Sequence, residues 1–498
     1  MASTVHDNAP ATLDPDRTVR FVLDGQLVRV DDPPSTLTVL DWLREHRGRC
    51  GTKEGCAEGD CGACTVVLGE LDADQRVRWR AINSCIRFVA TIDGKELVTV
   101  ESLADPRHGL HPVQQAMVDQ HASQCGFCTP GVVMSLFALY LHSDAPQRDD
   151  VVEALAGNLC RCTGYRPIID AGCAMGGYPE PARWSRADAA GQARCDALRE
   201  LRRADPLRLN GFVAPRNLDQ LAELYAAAPE SLLLAGGTDI GLWVTKHLRE
   251  LPPIIYLGEV AELQRVEQHD GVLRIGAAVS LTDAWAALVE RIPQLAELAQ
   301  RFGSPPVRNS GTLCGNIANG SPIGDAMPAL IVLGASIELR RGESTRTLAL
   351  EDFYLGYQKK ALDAGEFVVA VDVRLPVPAT RLGFYKISKR IDQDISAVCA
   401  AFALRMDGDV IAQARIAYGG MAAIPERARH AEAALTGGRF DAAAADVAAA
   451  ALAQDFAPIT DMRAGSAYRL QVAGNLLRRF EREQRAGTTL RTHSVALA

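Results

Sequence analysis

Apolar positions along the chain change period several times, and each change marks an element. Val19-Arg20-Phe21-Val22-Leu23 and Leu27-Val28-Arg29-Val30 are strand-like runs around Asp24-Gly25, which predicts a hairpin. Thr38 to His46 reads as a helix, and Thr65 to Leu68 and Ala90 to Ile92 as strands. From about residue 110 the apolar spacing becomes helical, over His111 to His121, Gly131 to His142 and Asp150 to Ala156. Gly157-Asn158 supplies a stop, and Pro167 suits the start of a fourth helix over Ile168 to Met175. Residues 179–210 are polar and Arg-rich, with Pro179, Pro181 and Pro206, and read as a linker. Leu232-Leu233-Leu234 opens an α/β region that runs to Val377-Pro378. Beyond it Ala397 to Leu404 and Ala414 to Tyr418 read as strands, and Ala442 to Ala453 and Ala467 to Arg479 as helices. The alanine-rich run from Asp441 is low in complexity, and a helix of strong formers accounts for it.

Composition sets the scale. A chain of 498 residues, 48% hydrophobic, can bury several cores. At roughly 100–200 residues per domain it should form three or four. The divisions expected are 17–104, 105–180, a linker over 181–205, 206–380 and 381–490. The net charge is −8 and no basic stripe is present, so nucleic acid is not an expected partner. Met1 to Arg20 lacks the apolar core of a signal peptide, and no apolar run is long enough to span a bilayer, so a cytoplasmic protein is expected. Thirteen cysteines in such a chain argue against a disulfide framework.

Eight of those cysteines fall into two sets of four. Cys56, Cys61 and Cys64 reproduce the C-x₄-C-x₂-C spacing of plant-type 2Fe–2S ferredoxins, with Cys85 as the fourth thiolate. Gly55, Gly59 and Gly62 let the backbone wrap closely and aim N–H groups at sulfur. A structural zinc site also takes four thiolates, but it usually shows two C-x-x-C knuckles. The strand-rich module around this set, with its embedded helix, suits a ferredoxin-like β-grasp fold. The second set is Cys125 and Cys128, then Cys160 and Cys162, in turns between the predicted helices. A zinc ribbon would fit that spacing by itself; the cramped C-x-C and the helical setting favour iron–sulfur. The remaining Cys50, Cys173, Cys195, Cys314 and Cys399 need no role.

Two glycine-rich segments stand out further on. Ala235-Gly236-Gly237-Thr238-Asp239-Ile240-Gly241 follows an apolar strand without being G-x-G-x-x-G. Ser310 to Asp325 combines glycines with apolar Leu and Ile. Backbone N–H groups bare of Cβ atoms could hold a dinucleotide's pyrophosphate, and a pair of tight turns in an α/β core fits equally well. Lys386 could lend positive charge to such a ligand, although a lone Lys in its setting is more often solvated.

These residues resemble the iron–sulfur and flavin portion of the xanthine dehydrogenase type of molybdenum hydroxylase, over nearly the whole chain. The carrying motifs are Gly51 to Cys64, Gln124 to Gly131, and Gly157-Asn158-Leu159-Cys160-Arg161-Cys162-Thr163-Gly164-Tyr165-Arg166-Pro167. The resemblance implies an α+β multidomain chain. Its parts would be a β-grasp 2Fe–2S domain, a four-helix 2Fe–2S domain, a vanillyl-alcohol-oxidase-like FAD-binding domain and a CO-dehydrogenase-flavoprotein-like C-terminal domain. It carries FAD binding onto Leu233, Leu234, Ala235, Gly236, Gly237, Thr238, Asp239, Ile240, Phe302, Thr312, Leu313, Cys314, Gly315, Asn316, Asp325 and Lys386. Gly324 departs from relatives that carry a Ser there. The family's molybdopterin domain is not in the sequence, as in bacterial members split into two subunits. A molybdenum-binding large subunit is therefore the implied partner, in a heterotetramer of two small and two large chains. Electrons from hypoxanthine or xanthine would pass singly through both clusters to FAD and then to NAD⁺. No side chain is singled out as a catalytic acid or base. The redox chain of an aldehyde, nicotinate or carbon monoxide oxidiser is the same-class alternative; a zinc-stapled scaffold and a stand-alone electron carrier are the others.

Overall fold

The hairpin forms where the alternation places it. In the computed structural model, which describes residues 17–488, β1 (Thr18–Leu23) pairs antiparallel with β2 (Gln26–Asp31). Asp24 and Gly25 turn the chain with φ of 53° and 83°, the two positive values that a type I′ turn requires. Residues 1–16, which include most of the stretch read for a leader, and 489–490 lie outside the described residues.

Two compact units make up the chain. The first opens with a mixed five-stranded sheet in the order β2-β1-β5-β3-β4, where β3 is Thr65–Leu71, β4 Val77–Asn83 and β5 Glu96–Val98. A short helix, capped by Thr38 and loosening into a π-turn over Trp42–His46, buries Val39, Trp42 and Leu43 against this sheet's core. This is the β-grasp arrangement. One expected strand is corrected: Val89–Ile92 is a 3₁₀ turn, and the strands beyond the hairpin and β3 are β4 and β5 instead.

Four helices follow, Pro112–Asp119, Thr129–His142, Arg148–Leu155 and Arg166–Ala174, close to the expected spans. Their apolar faces meet around Val113, Leu136, Phe137, Val151 and Ile168, and Val67, Trp79 and Val98 join this core from the sheet. The expected linker is also corrected. Residues 181–205 hold the helices Arg186–Ala189 and Gln192–Leu201. Trp184 is fully buried there, edge-on to Trp79 at 5.5 Å, with the Arg194 guanidinium 3.9 Å above its ring. This segment is a docked strap whose charged residues cover aromatic surface. The unit ends with a four-stranded sheet ordered Leu207–Leu209, Phe212–Ala214, Ile254–Tyr256, Leu232–Leu234.

The second unit contains an antiparallel five-stranded sheet ordered Val266–His269, Val272–Gly276, Phe367–Arg374, Ser336–Arg341, Ser344–Ala349. It also contains a four-stranded antiparallel sheet that begins Thr380–Ile387, Val398–Asp407, Val410–Gly419. Helices Ala442–Asp455 and Ser466–Ala486 share that second sheet's core through Leu452, Leu477 and Phe480. Among the described residues no helix is long and apolar enough to cross a membrane.

Candidate functional site: two cysteine sets and two flavin-loop segments

Strand register explains how Cys85 returns to the first set. β3 begins directly after Cys64, β4 ends just before Ser84-Cys85, and Thr65 pairs with Asn83. That pairing sets the Cys64 and Cys85 sulfurs 3.3 Å apart, both buried. Cys56 and Cys61 face each other across the preceding loop, where the Cys61 N–H donates to Cys56 Sγ and the Cys56 N–H to Cys61 Sγ, each at 3.3 Å. The Glu58 N–H adds a third donor to Cys56 Sγ at 3.4 Å. A Cβ on Gly55 would stand 2.8 Å from Cys61 Sγ, so the loop's wrap depends on glycine there. The Cys61 thiol draws the Cys56 pKa down to about 4, and the Cys85 thiol likewise lowers Cys64.

The second set lies at helix ends. Cys128 precedes helix Thr129–His142, and Cys160 and Cys162 lie in the turn before helix Arg166–Ala174. The Cys125 and Cys162 sulfurs are 3.7 Å apart and exposed. Tyr165, held at φ +66°, accepts from the Cys160 N–H at 2.8 Å, and Thr163 Oγ1 lies 3.0 Å from Cys160 Sγ. Burial, then the Cys160 thiol, pushes Cys128 up to about 12. Cys160 moves down, because hydrogen bonds led by Thr163 outweigh its burial.

The first set thus splits into two facing pairs, Cys56 with Cys61 and Cys64 with Cys85, and the second brings Cys125 to Cys162. A zinc ion gathers its four thiolates around one point. The two pairs of the first set match a dinuclear cluster, with two thiolates at each iron. The donor chemistry and its arrangement fit 2Fe–2S.

The two sets are joined directly. The Cys61 carbonyl accepts from the Leu159 N–H at 2.9 Å, and Gly62 O accepts from Asn158 Nδ2 at 3.2 Å. Gly62 and Gly131 approach so closely that a Cβ on Gly131 would fall well inside contact with the Gly62 carbonyl. Sequence reasoning noted these glycines by motif and missed that they face one another.

The flavin-loop residues fall in two places, each seen by itself. In the first unit, Leu233 and Leu234 lie in strand Leu232–Leu234, Ala235 to Asp239 form a turn with Gly237 at φ +75°, and Ile240 opens helix Ile240–Thr245. This is a strand–glycine turn–helix unit leading into the parallel strand Ile254–Tyr256. In the second unit the glycine-rich segment from Ser310 to Asp325 contains a helix, Leu313–Asn319, capped by Thr312 Oγ1, which accepts from Gly315 N–H at 3.0 Å. Leu313 and Cys314 are buried, and Phe302 packs against Trp285 at 5.5 Å. Asn316 Oδ1 is buried with no hydrogen-bond partner, an acceptor suited to a ligand hydroxyl. Lys386 corrects the solvated reading: it is buried, and its Nζ bonds Asp325 Oδ2 at 2.6 Å, while Ser396 Oγ donates to Asp325 Oδ1 at 2.6 Å. At Gly324 a Cβ would meet Met327 Cε, the free end of a flexible side chain that can turn aside, so packing alone does not require glycine there.

Residues 21–90 match the 2Fe-2S iron-sulfur cluster binding domain, 99–173 the [2Fe-2S] binding domain, 207–378 the FAD binding domain in molybdopterin dehydrogenase, and 383–484 the CO dehydrogenase flavoprotein C-terminal domain. Xanthine dehydrogenase of Drosophila subobscura is 34% identical over 81% of this chain, and that of Emericella nidulans 32% identical over 89%. The chain spans about a third of each relative, 34% and 36% of their lengths. Among solved structures, a carbon monoxide dehydrogenase chain from Hydrogenophaga pseudoflava is 29% identical at a TM-score of 0.51, covering 54% of this chain and 94% of its own. A quinoline 2-oxidoreductase chain from Pseudomonas putida 86 is 27% identical at a TM-score of 0.50, covering 56% and 97%. With two 2Fe–2S-binding domains followed by an FAD-binding domain and its flavoprotein C-terminal domain, the chain fits the 2Fe–2S/FAD electron-transfer part of a molybdenum hydroxylase.

Proposed function

We propose that this chain is the electron-transfer subunit of a cytoplasmic xanthine dehydrogenase, serving oxidation of hypoxanthine and xanthine to urate on a molybdenum-binding partner, with NAD⁺ as acceptor. In this reading Cys56, Cys61, Cys64 and Cys85 hold one 2Fe–2S cluster, and Cys125, Cys128, Cys160 and Cys162 the other. Leu233 to Ile240, Phe302, Thr312 to Asn316, Asp325 and Lys386 serve FAD. The domain divisions are those at 17–104, 105–180, 206–380 and 381–490, with 181–205 as the strap. When bound, the clusters carry single electrons and the flavin converts them to the two-electron currency of NAD⁺.

The carrying observation is the direct hydrogen bond from the second cysteine set to the first, Leu159 N–H to the Cys61 carbonyl. Around it the residues fix positions and exclude water rather than exchange protons. Backbone N–H groups of Cys56, Glu58 and Cys61 point at sulfur, which favours the anionic cluster. The buried Lys386–Asp325 pair anchors strand Thr380–Ile387 beside the start of helix Ala326–Val332. In the first unit, Cys125, Phe127, Leu159 and Cys162 are exposed, which supports docking of the molybdenum chain at this edge. The purine assignment is supported by the curated relatives, and the solved neighbours support other substrates of the same class.

The test is to purify the chain with its partner and assay xanthine with NAD⁺. NADH formation with a two-plus-two mass supports the reading. Turnover of carbon monoxide or an N-heterocycle without xanthine activity transfers the chain to that branch.

A further inference from the structure

Helix Ile240–Thr245 follows the first flavin loop, and in the first unit it touches both halves of the first cysteine loop. Gly241 is buried, and a Cβ on it would stand 2.7 Å from Ile86 Cβ and 2.8 Å from the Ile86 carbonyl oxygen. Both are atoms fixed by the backbone next to Cys85, so no rotamer change relieves the contact. A Cβ on Gly237 would stand 3.6 Å from the same carbonyl. Leu242 packs against the buried group of Leu40, Cys64, Cys85 and Ile86. On the other half of the loop, Thr245 Oγ1 donates to the Ala57 carbonyl at 2.7 Å. Ala57 lies between Cys56 and Cys61 at φ +53°, a left-handed conformation that is strained for a non-glycine residue.

A six-residue helix is far below the length that holds itself together in water, so it takes its position from the surface it docks on. That surface is made of the glycine-rich loop that carries Cys56 and Cys61 and the turn that carries Cys85. We propose that Ile86, Gly241 and Thr245 form a clamp through which the filled first cysteine set shapes the flavin loop, so that the chain retains flavin only with its first cluster in place. The inference rests on the cofactor assignment proposed above. It makes Ile86, Gly241 and Thr245 positioning residues, and the coupling is reciprocal, since loss of flavin must loosen the first cluster by the same free energy.

The full chain, with its partner where the two co-purify, is assayed for iron, for flavin, and for the paramagnetic resonance spectrum of the dithionite-reduced clusters. Cys85→Ser is expected to lose flavin along with the first cluster, and added FAD does not restore it, whereas Cys125→Ser keeps its flavin. Gly241→Ala is expected to lose flavin outright. Thr245→Val, isosteric and mild enough to fold where Gly241→Ala does not, is expected to release flavin several-fold faster at wild-type iron content. Stripping flavin from the wild type should shift the first cluster's line shape and leave the second's unchanged, a signature that mere destabilisation does not give. Flavin retention at wild-type affinity in Cys85→Ser, or a wild-type release rate in Thr245→Val, overturns the clamp. A wild-type chain that holds no iron or no flavin overturns the cofactor assignment itself, and the clamp with it.

Discussion

The carbonyl of Cys61 accepts a hydrogen bond from the backbone N–H of Leu159 at 2.9 Å, and each residue is, or is next to, a cysteine of a different set. The contact exists because glycine stands at the crossing. Gly62 takes φ +69°, and its carbonyl lies where a side chain at 131 would begin. Gly131→Ala therefore drives a methyl group into a backbone oxygen that cannot step aside. Overpacking ordinarily costs about 1–3 kcal/mol, and this collision belongs at or above the top of that range. The expected outcome is a lower melting temperature together with an altered second-cluster spectrum. A variant that melts like wild type would show that the two modules slide past one another freely.

The paired sulfurs make the iron stoichiometry divisible. Cys64→Ser breaks the Cys64–Cys85 pair and Cys162→Ser breaks the Cys125–Cys162 pair. Each should remove one cluster and about half of the iron, with a different half of the visible spectrum lost in each case. Cys173→Ser, at an exposed cysteine outside both sets, should leave the iron content unchanged. Iron analysis of the three purified variants decides the point, and equal loss from Cys64→Ser and Cys173→Ser would end the assignment.

What could be read in the sequence was local. The cysteine spacings, the Asp24-Gly25 hairpin and the four helices depend on neighbours a few residues apart, and all of these elements are present. Ala90 to Ile92 misled because it is buried on every side, and a short apolar run without alternation does not separate a strand from a turn. β5 escaped notice because its Glu96 looks like a loop residue until Arg194, far along the chain, neutralises it at 2.7 Å. The 181–205 strap looked like a tether for the same reason: its polar residues find Trp79, Trp184 and Glu96 only in three dimensions. Lys386 is the sharpest case, since nothing in its own segment announces the buried Asp325 that holds it.

That pair gives a stability prediction. Lys386 and Asp325 are both buried, with side chains 4% and 6% exposed. Removing the ammonium by Lys386→Met leaves a buried carboxylate without its cation, still hydrogen-bonded by the Ser396 hydroxyl, and stranding a buried charge costs about 3–5 kcal/mol. Asp325→Asn combined with Lys386→Met removes the stranded charge and should recover part of the loss, a coupling that a double-mutant cycle of denaturant midpoints measures. If the single variant unfolds at the wild-type midpoint, the pair contributes nothing to the second unit.

A pH dependence follows from His111. Its ring is buried between Phe137 and Tyr140, with centroids at 5.3 Å and 4.9 Å. Nδ1 accepts from the Val113 N–H at 3.3 Å, capping helix Pro112–Asp119, which leaves Nε2 as the protonated nitrogen facing the Trp184 carbonyl at 3.3 Å. Burial disfavours the cation and lowers the pKa from 6.5 to about 4; the Trp184 carbonyl opposes the shift and Arg186 adds to it. Above the unfolded value both states are neutral and the group contributes no slope. As pH falls from 6.5 towards 4 the unfolded chain binds a proton that the native ring refuses, so stability drops through this window and this group's loss is complete below it. The loss is on the order of a few kcal/mol. His111→Asn keeps a capping oxygen for Val113 without a titrating ring. Denaturant midpoints across the window should therefore fall less steeply with acid in His111→Asn than in wild type, even though the smaller side chain lowers the midpoint at neutral pH. Parallel slopes in the two proteins would mean that the buried ring already takes up its proton in the folded state.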